Sequence, residues 1–183
     1  MTAALLLMDF QAGIVSRFDS PSTVRSAGTA LAAARAHGVP VVFVRIAFRD
    51  GYPEAAAGNR TFSSLAERGG MTLEDPATQV VPELAPAAGE VVVVKRRVSA
   101  FTGSDLEVVL RSAGVDHLVL TGIATSGVVL STLREAADKD FRLTVLADAC
   151  ADNDPEVHRV LTEKVFPRQA EVTTVAAWAE TLG

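Results

Sequence analysis

The sequence predicts a three-layer α/β/α fold built on a six-stranded parallel sheet, and three observations carry that prediction. Six short apolar, β-branched runs recur along the chain, helical patterns lie between several of them, and several of those patterns stop at a glycine. Such runs are strands buried on both faces. Strands alternating with helices join through right-handed crossovers into a mostly parallel sheet covered on both sides. At about 150 residues per domain, the 183 residues form a single domain, 1–183.

The first run, Ala3 to Met8, ends in an acidic residue, Asp9. It is too short for a membrane span and lacks the basic flank of a signal peptide, so a cytoplasmic protein is expected. A helix follows over Ser22 to His37 and is closed by Gly38, a residue suited to the left-handed cap. The second strand is Val39 to Ile46. From Ala47 to Ala88 the chain is rich in Gly, Pro, Asn, Ser and charge, with no sustained period, which predicts a lid or substrate loop. The third strand is Glu90 to Lys95, the next helix is Asp105 to Ala113 with Gly114 as its stop, and the fourth strand is His117 to Gly122. Gly127 to Lys139 is helical, Leu143 to Asp148 is the fifth strand, and Asp154 to Lys164 is a helix with Pro155 in its first turn. A weaker sixth strand spans Ala170 to Val175.

Composition narrows the function. Hydrophobic residues make up 49% of the chain and charged ones 21%, ample for a sizeable core. The net charge of -5, from 17 Lys+Arg against 22 Asp+Glu, removes the attraction that dominates binding to nucleic acid and anionic membranes. A small-molecule substrate is the partner that remains. One Cys excludes an internal disulfide and a multi-Cys zinc site, and His37, His117 and His158 have no ligand spacing, so no metal is expected. No cofactor is expected either: neither Gly-x-Gly-x-x-Gly nor a Walker motif follows the first strand.

In open α/β sheets, ligands bind beyond the carboxyl ends of the strands, near the point where strand order reverses. Three segments arrive there: Asp9-Phe10-Gln11, Lys95 with Arg96, Arg97 and Val98 to Phe101, and Gly122-Ile123-Ala124-Thr125. A carboxylate beside an ammonium in a half-buried cleft is equipment for proton transfer, though Asp9 capping a loop with Lys95 neutralising it reads equally well from position alone. Phe10, Phe48, Phe62 and Phe101 line a pocket or belong to the core. Arg45, Arg49 and Arg60 flank the long loop, where they either grip a carboxylate or are solvated. Asp148 and Asp152 read as caps for the helix that follows.

These residues resemble the isochorismatase-like cysteine hydrolases, a family that includes nicotinamidases, N-carbamoyl amidases and isochorismatases. The resemblance rests on Asp9-Phe10-Gln11, on Lys95 with Ser99-Ala100-Phe101 and Gly103 to Leu106, and on Gly122-Ile123-Ala124-Thr125 leading into a helix with Thr132 and Ala136. It implies a Rossmann-like six-stranded parallel sheet, and dimers or tetramers of the chain. It also implies a catalytic Asp (Asp9), a catalytic Lys (Lys95) and a Cys nucleophile at a helix start, the last at a position that is Val128 here. Cys150 follows the fifth strand and reads as a small buried hydrophobe. Ser126 and Ser131 do not occupy the Cys position, and no His is close in sequence to activate them.

The nicotinamidases' Asp-x-His-x-x-His metal site has no counterpart in Arg45 to Gly51. Isochorismatases lack the Cys and hydrolyse a vinyl ether with the first-strand Asp as general acid, and the pattern Asp9, Lys95, Val128 is closest to theirs, with Gly127 adjacent rather than in the slot. The resemblance further implies a non-proline cis peptide near Ala124-Thr125, and oxyanion or substrate contacts from Gln11, Phe101, Ala124, Thr125 and Val128. The expected function is therefore Cys-independent hydrolysis of a small anionic molecule. The alternative is a non-catalytic binding or structural member that lost its nucleophile.

Overall fold

The computed structural model describes residues 2–18 and 21–183; Met1 of the amino-terminal run lies outside them. Six strands form one sheet: β1 Ala3–Met8, β2 Val41–Ile46, β3 Val91–Lys95, β4 His117–Ile123, β5 Arg142–Ala151 and β6 Glu171–Thr173. Their order is β3-β2-β1-β4-β5-β6 and every pair is parallel. The chain builds outward from β1 to β2 and β3, then returns to the other side of β1 for β4. The crevice where strand order reverses therefore lies at the carboxyl ends of β1 and β4.

Alternation along β1 sends Ala4, Leu6 and Met8 to one face and Leu5 and Leu7 to the other, all at most 1% exposed. Full burial of one such Leu contributes about 1.5–3 kcal/mol, which explains why the central strand carries no polar residue. The second face is covered by a helix over Pro21–Ala36, whose Ala27, Ala30, Leu31 and Ala34 lie on one stripe, together with Val175 and Trp178 of a helix over Val175–Glu180. The first face is covered by helices Leu106–Ser112 and Leu130–Asp138.

Several boundaries differ from the sequence reading. The helix expected from Gly127 begins as a wide turn over Thr125–Val129, broken at Gly127 (ψ -105), and is regular only from Leu130. The strand β5 runs on to Ala151 through a register shift opposite Leu120 and Gly122. The terminal helix Val175–Glu180, at six residues, is too short to show a helical period in the sequence; Thr174 caps it by accepting from Ala177 N.

The segment from Ala47 to Ala88 is a packed appendage. Ile46, Phe48, Phe62 and Leu65 form a small core of their own, Phe48 bridges Thr72, and Val80 pairs with Gln11. Phe10, Phe48, Phe62 and Phe101 are all buried core residues.

Candidate functional site

Asp9 follows β1 in the left-handed region (φ 61), a conformation short Asp side chains tolerate better than most, and its amide donates to Val44 O at 2.8 Å. Lys95 ends β3. These strands are not neighbours: β2 lies between them, so the Lys95 side chain crosses over the end of β2. The pair nevertheless forms, with Lys95 Nζ 2.8 Å from Asp9 Oδ2 and the two side chains 1% and 8% exposed. Lys95 Nζ also donates to Arg97 O (3.1 Å) and Val98 O (2.8 Å), which occupies all three ammonium donors.

Asp9 Oδ1 is buried without a hydrogen-bond partner among the described residues. Burial pushes the Asp9 pKa up, and the Lys95 charge and hydrogen bond offset that rise only in part. A carboxyl group in this state holds its proton more tightly than one in water, with one oxygen free to deliver it.

The third segment closes the crevice. Gly122 pairs with Met8 across β1 and β4, and a Cβ there would lie 2.7 Å from Met8 O, so only glycine allows this approach. The Ile123–Ala124 peptide is cis, at the segment where the family resemblance places one. Thr125 is fully buried, and its Oγ1 lies 2.8 Å from His158 Nδ1. Asp152 accepts from Ser126 N at 2.7 Å. The sequence reading missed His158, which is 33 residues from Thr125 and brought to it only by the packing of a helix over Pro155–Val160. Burial lowers the His158 pKa, which favours the neutral ring.

Val128 is 2% exposed and packed in the core on the first face of the sheet. Cys150 is packed in the same core, and burial pushes its thiol up to about 12, so it supplies no thiolate near neutral pH.

Other expected contacts are directed elsewhere. Gln11 is a clamp: Nε2 donates to Ile46 O and Thr78 O, both at 2.9 Å, and Oε1 accepts from Ile46 N at 2.7 Å, so the amide joins the end of β2 to the long connection and has no donor left for an oxyanion. Phe101 packs against Phe141 at 5.9 Å with Lys139 Nζ over its ring, in the core on the first face of the sheet. Arg45 is spent on Leu73 O and Thr78. Asp148 caps Val175 N, and Asp154, not Asp152, caps Glu156 N. Among the described residues, no group of His, Cys, Asp and Glu could hold a metal, and no helix is long and apolar enough to cross a membrane.

Comparison with known proteins agrees with this fold. The isochorismatase domain matches residues 3–177. The isochorismatase family protein YecD of Escherichia coli O157:H7 is 35% identical over 178 residues, covering 95% of this chain and 93% of its own. Ureidoacrylate amidohydrolase RutB of Pseudomonas syringae pv. syringae (strain B728a) is 36% identical over 176 residues, covering 84% of this chain and 72% of its own. An isochorismatase family protein from Burkholderia thailandensis superposes with a TM-score of 0.87 at 31% identity, covering 99% of this chain and 95% of that one. Domain match, relatives and sheet coincide over nearly the whole length, and the chain belongs to the isochorismatase family of hydrolases.

Proposed function

We propose that this protein hydrolyses a small anionic molecule without a thiol intermediate, with Asp9 as the general acid and Lys95 as the group that holds its conjugate base. The observation that carries the reading is the buried Asp9–Lys95 pair with one Asp9 oxygen unpaired, together with a Val, Val128, at the position where the family resemblance implies the nucleophilic Cys. Vinyl-ether hydrolysis fits these groups. Asp9 donates its proton to the enol-ether carbon, and water adds to the oxocarbenium carbon that results. The hemiketal then expels an alcohol and leaves a carbonyl compound, and the proton released by water returns to Asp9. No step needs a covalent bond to the enzyme.

The test is a panel of enol ethers, amides and carbamoyl compounds assayed with wild type and Asp9→Asn. Turnover of an enol ether, lost by about two to four orders of magnitude in Asp9→Asn, supports the proposal. Since burial raises the Asp9 pKa, activity should be highest at low pH and fall as pH rises through that value. Turnover abolished by iodoacetamide would refute it. The packing of Val128 into the core favours a second reading, a non-catalytic member. An inert wild type together with an inert Val128→Cys variant would support that alternative.

A further inference from the structure

The segment after β3 and the start of the long connection enclose a second cleft of about 590 Å³, lined by Arg49, Glu54, Arg96, Arg97, Thr102 and Gly103. Arg96 Nε lies 3.2 Å from Glu54 Oε1, Arg49 pairs with the same oxygen, and Arg97 Nη2 donates to Glu54 O at 2.8 Å. Gly103 (φ 74) is what lets Arg96 lie in this cleft, because a Cβ there would sit 2.8 Å from Arg96 Cβ. Arg97 also lies over the Phe62 ring at 5.7 Å. Two guanidinium groups thus share one carboxylate oxygen, and a third holds the backbone carbonyl of the same residue.

A cluster that existed only to neutralise Glu54 would pair both of its oxygens, because the arginine fork matches a carboxylate in bidentate fashion. Instead Glu54 Oε2 is buried with no partner among the described residues. Arg96 and Arg97 each use two of five donors, Arg96 also reaching Lys95 O and Arg97 reaching Arg96 O, and Arg49 uses one. The cleft therefore keeps a surplus of positive charge and of directed N–H groups. Its floor is the backbone that holds the general acid's partner, since Lys95 Nζ is anchored on Arg97 O.

We propose that this arginine cleft receives the carboxylate of the substrate, with Arg96 and Arg97 as the specificity-determining pair and Arg49 closing the rim. The proposal rests on the reading of Asp9 as the acid for an anionic substrate, and it names the groups that recognise the anion.

Succinate, titrated calorimetrically, is the probe. Wild type should bind it with a Kd of about 1 mM, and Arg96→Gln and Arg97→Gln should each weaken binding by about tenfold or more. Arg49→Gln, whose parent side chain is 64% exposed, keeps the fold and should weaken binding several-fold, so the outcome does not depend on the two inner variants folding. Asp9→Asn should bind succinate as wild type does. Absence of saturable binding to wild type, binding indifferent to all three arginine substitutions, or binding lost in Asp9→Asn would each overturn the proposal. Inorganic phosphate that displaces succinate and binds more tightly would overturn the carboxylate assignment. An Asp9→Asn enzyme that keeps its turnover defeats the general-acid reading, while the titration still judges the cleft by itself.

Discussion

Replacing Lys95 by Met leaves the Asp9 carboxylate buried with neither oxygen paired, since Oδ2 loses its 2.8 Å contact and Oδ1 has none among the described residues. Removing one partner of a buried pair costs about 3–5 kcal/mol when the other stays charged. No discount for solvent screening applies, because the side chains are 1% and 8% exposed. The cost should also depend on pH. Desolvation already raises the Asp9 pKa in the folded protein and Lys95 opposes that rise, so its removal raises the pKa further. A group whose folded pKa is raised contributes stability at low pH and loses it as pH climbs toward the folded value. The deficit of Lys95→Met relative to wild type should therefore grow with pH, by at most about 1.4 kcal/mol per unit. Urea denaturation of both proteins at about pH 5 and about pH 8 measures this difference, with the other carboxylates cancelling between them. At the higher pH the loss corresponds to a Tm lower by about 6–20 °C for a domain of this size. A deficit below about 1 kcal/mol, or one equal at the two pH values, would refute the claim that this pair is a buried, desolvated charge couple.

Three further outcomes follow. Gln11→Ala removes three hydrogen bonds to Ile46 and Thr78 and should lower unfolding stability by about 2–4 kcal/mol in urea denaturation, while far-UV circular dichroism still reports the native sheet. Cys150, with its pKa pushed up to about 12, has about one thiolate per ten thousand thiols at pH 8. Thiol labelling of the native protein should therefore be slower than that of the urea-unfolded chain by at least about a hundredfold, as read by absorbance with a chromogenic disulfide. Gly122→Ala drives a Cβ to 2.7 Å from Met8 O and should cost about 2–3 kcal/mol or prevent folding, checked by thermal denaturation.

The sheet was legible because strands such as Ala3–Met8 and His117–Ile123 are buried on both faces and so read as unbroken apolar runs. Asp9 and Lys95 were legible for a related reason: each is the charged residue that ends such a run. The route between them was not, because the order β3-β2-β1 depends on which edges pair, and local sequence does not record that. Gln11 sits beside Asp9 in sequence, yet its amide turns to the backbone of Ile46 and Thr78, a choice set by a segment 67 residues away. His158 and the arginine cleft were hidden in the same way. Each depends on two connections meeting in space, and neither has a spacing signature within one segment.

The crossing of Lys95 over β2 links the acid to the outermost part of the sheet. Among the described residues the strand β3 is an edge, bonded only to β2, and edge strands detach more readily than central ones. An opening that lifts the carboxyl end of β3 away draws the ammonium off Asp9, while the carboxylate stays behind. The pair therefore acts as a latch on the sheet's margin. Weakening the pair should therefore speed exchange of the β3 amides, and amide exchange along Val91–Lys95 should follow the state of Asp9 before the rest of the domain responds to it.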